Sequence, residues 1–236
     1  MRLRQFLKTI GSCVALAVVI LVGISIASPR EQAYGQGNGG TDEESKIQQG
    51  FAIAPVPLNL AGKNRALVGL GSYIVNAVGD CNGCHSAGPP SEFAKGGNPY
   101  FLSPPFSGKE EINQATYLGG GRDFGPIGTL PHLYSRNLTP DKTGLPEGGR
   151  TYEQFVEIMR VGTDFDHVHP NCTAPGTPAN CIEPPFNGDL LLVMRWPFFR
   201  NMTDRDLQAI YEYLSAIPCN PGQVIAGAPY LQNACE

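Results

Sequence analysis

Apolar side chains recur at intervals of three and four residues in three stretches of the chain, which is the spacing of an amphipathic helix. The first stretch runs from about Lys63 to Val78. Its apolar face is formed by Leu67, Leu70, Ile74 and Val78. Gly69 and Gly71 lie inside this stretch, although glycine is costly within a helix. We therefore expect a second helix to approach this one closely at the two glycines.

The other two stretches begin with clear helix-start signals. At about Tyr152–Val161, the preceding Thr151 and the later Gln154 have the spacing of a capping box. The closing helix has Thr203 as its N-cap, acidic residues in its first turn and Pro218 as its end. The two apolar faces consist of Phe155, Ile158 and Met159 in the earlier helix and of Leu207, Ile210, Tyr211 and Leu214 in the later one. A mainly helical fold follows.

Residues 86–150 have no such periodicity. Of these 65 residues, 21 are glycine or proline, and seven aromatic side chains are scattered among them. A loop of this length is usually functional or disordered, and the aromatics argue against disorder. We expect the segment to wrap around one side of a bound group.

The pentapeptide CNGCH, Cys81 to His85, identifies that group. Two cysteines one turn apart can form thioethers with the two vinyl groups of a haem, and the following histidine can bind its iron. A thioredoxin-type pair would need a βαβ context, and a zinc site would need a second Cys/His pair of matching spacing. The chain has neither pattern. One motif predicts one covalently attached haem c.

The N-terminus indicates export. Residues 1–27 combine Arg2, Arg4 and Lys8 with an apolar run from Thr9 to Ala27, the pattern of a signal peptide. A retained membrane anchor formed by residues 9–27 is the alternative. The polar residues 28–50 are expected to form a flexible linker, residues 51–218 the domain, and residues 219–236 a C-terminal extension. The predicted location is the periplasm or the outer face of the cytoplasmic membrane.

An oxidising compartment gives the remaining cysteines a role. With Cys13 assigned to the signal segment, four are left: Cys172, Cys181, Cys219 and Cys235. Three pairings are open, and proximity along the chain favours Cys172–Cys181 and Cys219–Cys235. The second of these pairs would close the C-terminal extension.

The charge excludes one class of partner. Three of the 17 basic residues lie in residues 1–27, which leaves 14 basic residues against 21 acidic ones. An acidic protein of this kind is not expected to bind nucleic acid.

The chain resembles the class I (monohaem) cytochrome c family over residues 51–218, in particular the cytochrome c subunits that accompany periplasmic dehydrogenases. The resemblance rests on a helix that runs into CNGCH, on SRNLTPD at 135–141, and on VMRWP at 193–197 followed by MTDRDLQAIYEYL at 202–214. It implies a class I cytochrome c-like helical fold around the haem, with long Gly/Pro-rich loop insertions. It also implies that Arg136 or Asn137 is a partner of a haem propionate, and a polar turn without this role is the alternative.

In this family a methionine on the loop before the last helix binds the iron from the distal side. Met194 stands at that place, with Arg195 where relatives often have proline. His85 and Met194 are therefore the expected iron ligands. Met202, His167 and His169 stay open as alternatives, as does an iron without a distal protein ligand. The loop that contains the two histidines, with Asp164 and Asp166, fits a polar loop better than a metal site.

A His/Met pair saturates the iron, so we expect a single-electron carrier without catalytic residues of its own. Its partners would be redox proteins, namely a dehydrogenase, an oxidase or another cytochrome. Two alternatives remain at this point: a tethered cytochrome subunit of a dehydrogenase or oxidase complex, and a ligand-binding or peroxidatic haem protein if the distal methionine is absent.

Overall fold

The computed structural model describes residues 39–102, 108–173 and 180–236. Its α-helices are α1 Gly39–Ile53, α2 Arg65–Tyr73, α3 Cys81–His85, α4 Pro89–Glu92, α5 Pro146–Gly149, α6 Tyr152–Val161, α7 Trp196–Phe199 and α8 Asp204–Leu214. A π-helical turn, Ile74–Val78, extends α2, and a 3-10 turn covers Pro229–Leu231. β-Structure in the described residues is limited to isolated bridges. The predicted helical class is confirmed.

Helices α2 and α8 cross at Gly71. A β-carbon at this position would lie 1.9 Å from the carbonyl oxygen of Ala209 and 2.7 Å from Cβ of Tyr213. Glycine lets two backbones approach this closely. The second helix expected from Gly69 and Gly71 is therefore present, and it is the closing helix of the chain.

Gly69 contacts a different element, helix α1, which packs closely against it. Cβ at Gly69 would meet the Phe51 ring at 2.7 Å, and Ser72 Oγ donates to the carbonyl oxygen of Gly50 at 2.7 Å. The side chain of Ile47 is buried in the same contact. The prediction of a flexible linker over 28–50 is thus wrong for residues 39–50. Residues 1–38, which include the predicted signal or anchor, lie outside the described part of the chain.

The π-helical turn changes the register of the first helix just before CNGCH. Gly79 N donates to the carbonyl oxygen of Ile74 at 2.7 Å, a bond across five residues instead of four. Val75 is buried here, whereas Val78, expected on the apolar face, is 61% exposed. The wider turn rotates the following residues away from the α-helical face. The periodic pattern therefore fails at its last position.

The predicted capping box of α6 and the predicted N-cap of α8 are both present, and the N-cap of α8 is also part of a capping box. Thr151 and Gln154 begin α6 at the expected residues, and Thr203 Oγ1 accepts from Asp206 N at 3.1 Å while Asp206 Oδ2 accepts from Thr203 N at 3.2 Å. Asn64 caps α2 by accepting from Ala66 N. These side chains satisfy backbone donors that the first helical turn leaves free.

Replacing Thr203 with alanine is expected to lower the free energy of unfolding by about 1 kcal/mol, because the cap of α8 is lost. Thr203→Ser retains the hydroxyl and should cost clearly less. Urea denaturation followed by circular dichroism measures both. Equal losses in the two variants would show that the hydroxyl does not cap the helix.

Both predicted disulfides, Cys172–Cys181 and Cys219–Cys235, are formed. The extension closed by the second one docks on residues 137–142. Asn233 Nδ2 donates to the backbone carbonyl oxygen of Thr139 at 2.8 Å. Asn137 Nδ2 donates to the backbone carbonyl oxygen of Asn220 at 2.9 Å. The extension is therefore held at both of its ends.

No helix within the described residues has the length and hydropathy needed to cross a membrane.

Candidate haem site

CNGCH forms the single helical turn α3, which the chain enters through Asp80 in left-handed conformation. Cys81 is half-buried, Cys84 is exposed, and neither belongs to a disulfide. Burial raises the pKa of the Cys81 thiol to about 12. Thioredoxin-type cysteines have a lowered pKa and react as thiolates, so the thiol at Cys81 does not fit that class.

The imidazole of His85 is held by one backbone carbonyl. His85 Nδ1 lies 2.8 Å from the carbonyl oxygen of Arg136. A carbonyl only accepts, so the proton is on Nδ1 and the lone pair is on Nε2, the form that binds metals. Burial also lowers the pKa of His85, which favours the neutral ring. The sequence predicted the histidine, and the structure adds the group that orients it.

Gly120 lies between the CNGCH turn and the backbone of Arg136 and contacts both. Its N–H donates to the carbonyl oxygen of His85 at 2.6 Å, and a β-carbon there would lie 2.5 Å from the carbonyl carbon of Arg136. Its φ of 72° is also unfavourable for other residues. A part of the Gly/Pro-rich loop thus lies directly against the CNGCH turn.

A cavity of about 470 Å³ opens beside this turn, within the usual size range of cofactor pockets. Cys81, Cys84, His85 and Met194 all line it. Its apolar wall includes Ile74, Val75, Leu138, Phe155, Ile158, Leu190, Leu191, Leu192, Val193, Phe199, Ile210 and Leu214. The structure therefore brings the predicted site residues to one cavity.

The alternative distal ligands Met202, His167 and His169 differ in whether they line this cavity. Met202 and His169 also line the cavity, whereas His167 is not among the lining residues and its side chain is 62% exposed. His169 Nε2 is buried and has no hydrogen-bond partner within the described residues. Met202 lies between α7 and α8, and its carbonyl oxygen accepts from Arg160 at 2.6 Å. Of these groups, Met194, Met202 and His169 have access to a molecule in the cavity.

One edge of the cavity is charged. Arg136 pairs with Asp164 at 2.7 Å and with Asp166 at 2.8 Å, and Arg150 also pairs with Asp166. The amide of Asn137 is occupied by Asn220 and Thr139. The structure thus gives both Arg136 and Asn137 partners within the chain. It also shows that the two aspartates of the polar loop are engaged by arginines.

Sequence reasoning missed two parts of the site. The C-terminal extension supplies cavity wall through Tyr230, Gln232, Asn233 and Ala234, and Arg136 lies 4.6 Å above the Tyr230 ring. Glu147, in α5, is the second. The predicted Cys219–Cys235 pair was a signal that residues 219–236 are fixed, but no periodic pattern indicated where they pack.

These residues fit a haem c. The cavity joins an apolar wall, two cysteine thiols and a neutral histidine with two arginines at one edge, and a haem has an apolar ring, two vinyl groups, an iron and two propionates. The orphaned His169 Nε2 fits a polar group brought by a bound molecule. In the described residues no group of three or more His, Cys, Asp or Glu side chains is arranged to hold a bare metal ion.

The chain is similar to known cytochrome c subunits. It is 29% identical over 165 residues to the cytochrome c subunits of quinone alcohol dehydrogenases from Gluconacetobacter polyoxogenes and Komagataeibacter europaeus, covering 70% of this chain and 24% of each relative. It is 32% identical over 152 residues to a gluconate 2-dehydrogenase cytochrome c subunit from Pantoea cypripedii, covering 64% of this chain and 23% of the relative. The chain thus matches about a quarter of the length of these relatives. No family model and no solved structure matches it.

Proposed function

We propose that this chain is a monohaem c-type cytochrome of class I type that carries single electrons between redox proteins. One haem c is attached through Cys81 and Cys84, and His85 and Met194 bind its iron. The observation that carries the proposal is that all four side chains line one apolar cavity while a backbone carbonyl holds His85 in its metal-binding form. Residues 51–218 form the haem domain, and residues 219–236 complete its wall.

When bound, the haem supplies an iron that alternates between two oxidation states. The carbonyl oxygen of Arg136 orients the imidazole of His85 and increases its basicity. The apolar wall excludes water from the cavity. Arg136 and Arg150 would hold the propionates, and the thioether of Met194 would favour the reduced iron. No residue of the chain acts on a substrate in this scheme.

The donor in this proposal is a dehydrogenase, and the acceptor is an oxidase or another cytochrome. The relatives support this direction, because their names place them in alcohol and gluconate dehydrogenases. The two disulfides support an oxidising location such as the periplasm. Residues 1–27 then act as a signal peptide, or as the tether of a membrane-bound subunit.

A ligand-binding or peroxidatic haem protein is the second candidate. The buried, unpartnered Nε2 of His169 favours it, because a distal histidine can assist a ligand on iron. This function would require that Met194 leaves the iron open.

An optical spectrum with and without dithionite tests the main proposal. We expect the sharp bands of a six-coordinate c-type haem in the reduced protein, and one haem per chain that acidified acetone does not extract. Extractable haem would contradict attachment through Cys81 and Cys84. A high-spin spectrum that shifts on addition of carbon monoxide or peroxide would favour the second candidate.

A further inference from the structure

Glu147 has a carboxyl group with no partner at the haem cavity. Glu147 lines the cavity, and its carboxyl makes no hydrogen bond or ion pair with any part of the chain that the structure describes, although its backbone N–H donates to the carbonyl oxygen of Leu138 at 3.3 Å. Its backbone is left-handed, at φ 51° and ψ 43°. This conformation is uncommon for a residue with a side chain and costs energy. The fold therefore keeps an acidic group in a strained position at the wall of the cavity.

The charges around Glu147 are already largely paired. The groups that act on its carboxyl are Arg150, Arg136 and Asp166, and Cys81 and Tyr211 lie close enough to sense its charge. Both arginines are engaged by aspartates. Cys81 becomes an uncharged thioether when haem is attached, and the Tyr211 hydroxyl donates to the carbonyl oxygen of Arg150. Burial raises the pKa of Glu147 to about 7, and the two arginines oppose this rise.

We propose that Glu147 is a proton-binding site coupled to the haem, which takes up one proton when the haem gains one electron. The proposal rests on the proposed function, because it needs the haem in the cavity. The donor protein supplies the electron, and solvent water supplies the proton to a carboxylate oxygen. On oxidation the electron goes to the acceptor, and the O–H bond breaks to return the proton to water. The cytochrome would then carry a hydrogen equivalent in two separate parts.

The physical cause is the charge on the haem. Reduction removes one positive charge from the iron, and this change disfavours a nearby carboxylate because charges interact strongly in a poorly hydrated cavity. The pKa of Glu147 is consequently higher in the reduced protein than in the oxidised protein. Between the two pKa values the reduction potential falls as pH rises, and outside them it is constant.

Redox titration of the full-length haem-loaded protein at several pH values tests this inference. For the wild type we expect the potential to fall around neutral pH, with a limit of about 59 mV for each tenfold decrease in proton concentration. Glu147→Gln should remove this dependence. Glu183→Gln removes the same charge from an exposed position outside the cavity lining, so it should keep the dependence of the wild type.

Each outcome has a separate meaning. If Glu147→Gln retains the slope, another group carries the proton, and the inference is wrong. A flat wild-type profile with an intact c-type spectrum contradicts the inference but leaves the proposed function standing. If the protein carries no covalently attached haem, both this inference and the proposed function are wrong. If Glu147→Gln does not fold, Glu147→Asp should keep the slope but shift its pH range, and an unshifted range would overturn the assignment.

Discussion

Replacing Gly71 with alanine is expected to lower the free energy of unfolding by about 3 kcal/mol or more, the upper part of the range for overpacked cores. The new β-carbon would meet the carbonyl oxygen of Ala209 at 1.9 Å. This atom belongs to the backbone of α8, so the whole helix must shift to make room. Alanine improves helix propensity by about 1 kcal/mol over glycine, and the expected loss is large enough to outweigh this gain.

Gly69→Ala in the same helix is the matched control. Its β-carbon would meet the Phe51 ring and the Cγ2 atom of Ile47, which are side-chain atoms that can move, and the carbonyl oxygen of Ile47 at 2.9 Å. We expect a smaller loss in this variant. Urea denaturation of both proteins, followed by circular dichroism, gives the comparison. A Gly71→Ala protein as stable as the wild type would show that α2 and α8 do not cross as closely as described.

The crossing also matters for the site. Helix α2 leads into the CNGCH turn, and α8 follows the segment that contains Met194. The contact between Gly71 and Ala209 therefore fixes two chain segments that line the same cavity. We expect Gly71→Ala to weaken the ordering of the site together with the fold.

Helices with a regular apolar pattern could be predicted from the sequence. Thr151 and Thr203 mark helix starts because their side chains bond to the backbone within three residues, so the signal is local. Gly69 and Gly71 predicted a close helix contact because no local reason for glycine exists there. The apolar pattern alone did not identify which helices made the contacts, since that depends on tertiary packing.

Helix α1 was missed for a related reason. Its residues are mostly polar, and only a few of its side chains, such as Ile47, pack on the core. A mostly polar helix of this kind is stabilised by its contacts with the rest of the protein more than by its own propensity. The exposed Val78 illustrates the opposite error, because a π-helical turn changes the register of an otherwise regular pattern.

The residues of the candidate site also fall into two groups, those that a sequence motif predicts and those that only the fold brings together. Cys81, Cys84 and His85 form a contiguous motif whose spacing is dictated by the haem. The carbonyl oxygen of Arg136 belongs to the backbone, which any residue type could supply, so no sequence pattern points to it. Glu147 was hidden because its importance comes from a left-handed turn and from its place in the cavity wall.

Met194→Ala is expected to lower the reduction potential of the haem, because a methionine sulfur stabilises reduced iron. Each tenfold loss in the preference for the reduced state lowers the potential by about 59 mV. We expect a loss of at least a hundredfold, which lowers the potential by roughly 120 mV. The weak long-wavelength band of the oxidised protein, which marks an iron–sulfur bond in the resembled family, should disappear. The opened iron should also bind added imidazole or cyanide. Redox titration and optical spectra measure these effects.

Met202→Ala is the matched control, because Met202 lines the same cavity but lies between α7 and α8. We expect this variant to keep the long-wavelength band and a potential close to that of the wild type. The reverse result, with the band lost in Met202→Ala and kept in Met194→Ala, would move the ligand to Met202. If both variants keep the band, neither methionine is the ligand. If the wild type has no such band, no methionine binds the iron, and the distal ligand is either His169 through its buried Nε2 or absent. A distal His169 would still saturate the iron and keep the electron-carrier proposal, whereas an iron that binds added carbon monoxide would favour the ligand-binding one.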